Sequence, residues 1–126
     1  MWRKTALALT ALTALTACTT DDNAERELKA AAHHHMDAVN EGDIPGLRQH
    51  MSNRCVAAKT NAELEEIVVL IHTMYGEITL TDVKVTDMDE DHTQARVQGT
   101  TGIHALDSGP GSWWVYENGT WRAADC

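Results

Sequence analysis

Seven histidines, three cysteines and 19 acidic side chains give this 126-residue chain the raw material for metal binding, acid–base catalysis or thiol chemistry. Spacing decides which of these it can support. The densest group is His33-His34-His35. Adjacent residues on a helix point about 100° apart, so three in a row cannot converge on one metal ion. His33 projects outward, with Asp37 four residues on as a partner. His34 sits at the edge of an apolar stripe, and His35 falls in its middle. The plain reading of His35 is a hydrogen-bonded core histidine; the sharper one is a pocket-lining or acid–base group. Asp87, Asp89 and Asp91 alternate as calcium ligands do. An EF-hand loop, however, needs Gly at its sixth position and Glu at its twelfth, where this chain has His92 and Gln98. A solvated turn accounts better for them. No metal site, cofactor or catalytic constellation is expected.

The first helix expected to carry these histidines opens at Asp22 and Glu25 and runs to about Glu41, stopped by Gly42. Ala24, Leu28, Ala31, Ala32, His35 and Val39 share one face. Asp43 caps a short second helix from Ile44 to about Met51, with Pro45 in its first turn. Thr60-Asn61-Ala62-Glu63 is a capping box for a third, with Leu64, Ile67, Val68, Ile71 and Tyr75 on its apolar face, His72 flanking it, and Gly76 at its end. Val69 and Leu70 fall outside that face and suggest a surface where another chain docks.

After Gly76 the period changes to two. Ile78 and Leu80 alternate, then Val83 and Val85 with opposite parity, which predicts a bulge near Thr81-Asp82. Ala95, Val97, Gly99, Thr101 and Ile103 line a second strand, with Arg96, Gln98 and His104 opposite. Ser112–Glu117 and Thr120–Asp125 make a hairpin around Asn118-Gly119, the favoured two-residue turn. Its register sets Tyr116 against Trp121 and Trp114 against Ala123, with Trp113 on the other side. In a chain without phenylalanine, these residues hold most of the aromatic bulk. They read as core, or as a ligand platform formed by Trp113, Trp114, Tyr116 and Trp121.

Ahead of the helices, Arg3 and Lys4 precede an apolar run, Thr5–Thr16, of the length of a signal h-region and too short to span a bilayer. Leu15-Thr16-Ala17-Cys18, closing that run, resembles the lipobox of bacterial lipoproteins. The resemblance implies removal of residues 1–17, a diacylglyceryl thioether on Cys18, a short tether over residues 18–23 and a folded domain over residues 24–126. It implies a lipid anchor on the extracytoplasmic face of a bacterial membrane. With Cys18 committed to lipid, Cys55 and Cys126 are left to pair, and outside the cytoplasm a disulfide is the default. Closing a loop of about 70 residues is worth about 4 kcal/mol in the chain-entropy model.

Without Arg3 and Lys4, 19 acidic face 8 basic side chains. That balance argues against nucleic acid, and against adsorption to anionic headgroups through protein charge.

The run Met36-Asp37-Ala38-Val39-Asn40-Glu41-Gly42-Asp43, with Leu47, Ser52-Asn53-Arg54-Cys55 and the terminal Gly119-Thr120-Trp121-Arg122, resembles the nuclear-transport-factor-2-like superfamily. These are cystatin-like cone folds. The resemblance implies an α+β domain, with three N-terminal helices on a curved, mainly antiparallel four-stranded sheet. Enzymes and binding modules share this scaffold. The expectation is therefore a non-enzymatic envelope lipoprotein that binds a protein partner or an apolar ligand, with a homodimer also open. The alternative is a small polyketide-cyclase or ketosteroid-isomerase type of enzyme using His35.

Overall fold

The computed structural model describes residues 20–126; the expected signal segment and Cys18 lie outside them. Helix α1 spans Thr20–Glu41. Thr20–Asn23, expected as tether, already belong to it, and Asp22 lies inside the helix instead of capping it. The reason is local: the acidic residues lead straight into Ala-Glu-Arg-Glu-Leu-Lys-Ala, all good helix formers. The helix ends in a Schellman motif: Gly42, at φ 66°, donates to Val39 O at 3.2 Å, and Asp43 N donates to Ala38 O at 3.0 Å.

Asp43 then caps α2, Ile44–Gln49, its carboxylate accepting Gly46 N–H at 3.1 Å. A further helix, α3, Asn53–Ala58, corrects the expectation of three helices. Buried Ser52 caps it by accepting Cys55 N–H, and one and a half turns are too short to show a helical period in sequence. Helix α4, Asn61–Tyr75, has both halves of the Thr60–Glu63 capping box. Arg48 ties α2 to the helices that follow, donating to Val56 O of α3, Lys59 O and Asn61 Oδ1 of α4.

The sheet is an antiparallel meander in the order β1 (Asp82–Met88), β2 (Gln94–Thr100), β3 (Ser112–Glu117), β4 (Thr120–Ala123). Ile78–Leu80 is not in a strand. Asn40 clamps Ile78 instead, donating to its carbonyl at 2.8 Å and accepting its N–H at 2.9 Å, which satisfies the backbone without a neighbouring strand. The bulge sits later, between Val85 and Asp87. β2 also stops earlier than its alternation suggests. Gly102, at φ 81°, turns the chain, and His104–Asp107 forms a one-turn helix, α5. The Asp107 carboxylate holds that corner by accepting from Thr101 N, Thr101 Oγ and Gly102 N. Asp89 closes the β1–β2 turn in the same way through Thr93 and Gln94.

The hairpin has the expected register, Trp114↔Ala123 and Tyr116↔Trp121, with Asn118 and Gly119 both at positive φ. β4 is also tied to the helices. Ala123 N donates to His50 O and Ser52 N donates to Ala123 O, making one parallel bridge at Met51. The Cys55–Cys126 disulfide (Cα–Cα 5.6 Å) lies beside it.

Two apolar clusters result. Leu28 and Ala32 of α1 pack on Val83, Ala95, Val97, Trp114 and Trp121 of the sheet. Ala38 and Val39 pack with Ile44, Leu47, Met51, Cys55, Leu64 and Val68 of the shorter helices. Full burial of a side chain such as Leu28 contributes about 1.5–3 kcal/mol. The protein is thus an α+β domain, its N-terminal helices packed against a four-stranded antiparallel sheet. On α4, Val69 (64% exposed) and Leu70 (57%) stay in solvent.

Candidate functional site

His35 occupies the boundary between the two clusters, because α1 gives Ala32 to the sheet and Val39 to the helices and His35 lies between them on the same face. It is half-buried. Its ring stands edge-on to Trp114, centroids 5.7 Å apart and planes at 79°. Neither ring nitrogen has a hydrogen-bond partner among the described residues, unlike the His72 ring, which pairs with Val39 O. Burial, with a smaller contribution from the nearby His50, pushes the His35 pKa down from 6.5 to about 4. At neutral pH the imidazole is uncharged.

Two clefts flank this pair. The larger, about 410 Å³, is bounded by α1, the shorter helices and the end of the hairpin; Val39, Leu47, Leu64, Val68 and Ile71 line it, with the disulfide at its edge. The smaller, about 260 Å³, lies under Leu80, Val97 and the Leu106–Gly111 connection. His35, Trp114 and Ser112 belong to both. The Trp114 indole donates to Ser112 Oγ at 3.0 Å, which fixes the buried ring. Nothing in the hydrophobic pattern singled out Ser112; only its place opposite His35 on β3 brings it in.

The other expected aromatic residues divide between two places. Tyr116 and Trp121 meet edge-to-face, ring centres 5.4 Å apart, and line a separate cleft with His34 and His50, whose rings are 5.9 Å apart. Trp113 is on the opposite face of the sheet, half a turn of strand away, with the Arg96 guanidinium 4.3 Å from its ring centre. It therefore does not join Trp114 in one platform. Indole Nε1–H of Trp121 is buried without an acceptor among the described residues.

Two carboxylates reach the His35 clefts, and both are already engaged. Asp107 accepts three hydrogen bonds at its corner, which hold its pKa below the usual range, and Asp125 Oδ2 accepts Trp113 N–H at 3.1 Å. Asp37 and Asp43 are exposed on the helices. Among the described residues no group of three or more His, Cys, Asp or Glu side chains is placed to hold a metal ion. The site's chemistry is that of an apolar slot with a neutral imidazole and one hydroxyl at its waist.

No protein-family model matches the chain, and none of the curated proteins does. The class defined by fold and site is therefore an α+β domain with a cleft between its helical layer and its C-terminal hairpin.

Proposed function

We propose that the protein is a non-enzymatic binding lipoprotein of the bacterial cell envelope, anchored through Cys18, whose cleft beside His35 takes an apolar small molecule. The observation that carries this reading is the larger cleft: apolar walls around an imidazole with no partner among the described residues, at a volume typical of small-molecule sites. The Cys55–Cys126 disulfide supports an oxidising compartment. The lipobox resemblance of Leu15-Thr16-Ala17-Cys18 supplies the anchor. Among the described residues no helix is long and apolar enough to cross a membrane. The resemblance to nuclear-transport-factor-2-like domains raises the expectation of a pocket and assigns no chemistry. Against the cyclase or isomerase alternative stand Asp107 and Asp125, whose oxygens accept hydrogen bonds instead of opposing His35 as an acid. Val69, Leu70 and Met74 offer a second, exposed surface to a protein partner or another copy.

Native mass spectrometry of the protein purified from membranes tests the reading. We expect lipid on Cys18 and a co-purifying apolar compound, and Cys18→Ala should leave the membrane as a folded domain. A chain that stays membrane-bound without Cys18 overturns the anchor. A cleft that neither carries nor accepts any apolar compound overturns the binding function.

A further inference from the structure

Two polar side chains stand where the His35 clefts meet, while Gln98, Thr101 and Asp107 in the smaller cleft bond to one another. Ser112 Oγ accepts from Trp114 Nε1, so its own proton remains to be donated, and no acceptor for it occurs among the described residues. His35 likewise has both ring nitrogens without partners. These two groups line both clefts; the apolar walls around them are Val39, Leu47, Leu64 and Val68 in the larger and Leu80, Val97 and Leu106 in the smaller. Neither the His35 ring nitrogens nor the Ser112 hydroxyl is sealed off as an unsatisfied buried atom, so both open onto the clefts, where a ligand's oxygen can take the place of water.

The charges nearby do not favour an ionic ligand. Lys59 and Asp125 bring one side-chain charge of each sign to the lining of the larger cleft. An anion would also approach against a chain of net charge −9. A cation would find Asp125 already accepting Trp113 N–H, and beside it an imidazole whose own charged form the site disfavours.

We propose that the ligand is an uncharged apolar molecule carrying one hydroxyl or carbonyl oxygen, which accepts from the Ser112 hydroxyl and pairs with the His35 imidazole. A neutral imidazole suits either group, because one nitrogen accepts from an alcohol and the other donates to a carbonyl. Trp114 sets the geometry, holding Ser112 from one side and His35 from the other. This inference rests on the binding reading above and adds the chemical class of what is bound.

The test uses the full chain in zwitterionic phospholipid nanodiscs, with empty nanodiscs as the partitioning blank. N-phenyl-1-naphthylamine, a neutral fluorescent apolar probe, is bound first and then displaced by 1-decanol, decanoate or decyltrimethylammonium. The alcohol is expected to displace it at a concentration at least tenfold below either charged amphiphile, after correction for partitioning; tenfold corresponds to about 1.4 kcal/mol. Ser112→Ala and His35→Phe should each remove most of that advantage while still binding the probe, which shows that the cleft survives. Decanoate competing as well as decanol would overturn the proposal in favour of a head group read by Lys59. An alcohol advantage unchanged in both variants would overturn it as well. Failure of the wild-type protein to bind the probe at all would refute the binding function itself, a separate result.

Discussion

Replacing His35 by Gln removes one titration and should change how stability depends on pH. The unfolded chain binds a proton at His35 near pH 6.5, whereas the native site does so only near pH 4. Between these values the unfolded state carries more protons, so stability falls as pH falls. Above pH 6.5 both states are neutral and the term vanishes; below pH 4 the loss has reached its full extent. Between pH 7 and pH 4.5 the difference amounts to about 2 kcal/mol, at about 1.4 kcal/mol per pH unit over the part of the window where the two states differ fully. Urea denaturation at a series of pH values measures it. Glu63, Asp89 and Asp107, held below their usual range by hydrogen bonds, also lose stabilisation in acid. They do so equally in wild type and variant, so the difference between the two curves isolates His35. The expected result is a wild-type curve that falls about 2 kcal/mol further than that of His35→Gln over this window. Parallel curves would refute the argument, as would an imidazole NMR titration with its midpoint near 6.5.

Other consequences concern the frame that holds the site. Cys126→Ser should cost about 4 kcal/mol, the entropy of a loop with sequence separation 71, read as a lowered melting temperature under non-reducing conditions. Gly111→Ala should cost about 2 kcal/mol or more, since a Cβ at φ 86° would lie 2.6 Å from Val97 O, and a backbone oxygen cannot move aside; equilibrium denaturation measures this. Thr60→Ala should cost about 1 kcal/mol by the same measurement, because it removes one half of the α4 capping box and leaves Glu63 N–H without its acceptor.

The parts of the fold readable in the sequence are those where one signal sufficed. Gly42 and the Asp43 cap marked one helix boundary, the Thr60–Glu63 box another, and Asn118-Gly119 set the hairpin register residue by residue. The parts that were not readable depend on partners distant in sequence. The parity change between Leu80 and Val83 looked like a bulge. In the fold it marks a segment outside the sheet, held by Asn40, which is 38 residues away from Ile78. Ser52 could not be recognised as a cap without knowing that α3 packs under the C-terminal hairpin. The site divides similarly. His35 stood out on the helical wheel, but its lack of a hydrogen-bond partner did not, and Ser112 carried no signal of its own. Face alternation separates Trp113 from Trp114, which leaves Trp113 on Arg96 and Trp114 on His35 and excludes a joint platform.

The ties between the α2–α3 junction and the last strand also set an order in time. His50, Ser52, Asn53, Arg54 and Cys55 all bond to residues at or beyond Glu117, across separations of 64 to 73 residues. The helices are local and can form early, but the helical cluster stays open on one side until β4 arrives. Synthesis or export therefore presents a chain whose core cannot close ahead of its final hairpin. If the chain is exported unfolded, as the proposed lipoprotein would be, this delay would keep it loose on the near side and leave Cys55 and Cys126 to pair only once the final hairpin has crossed.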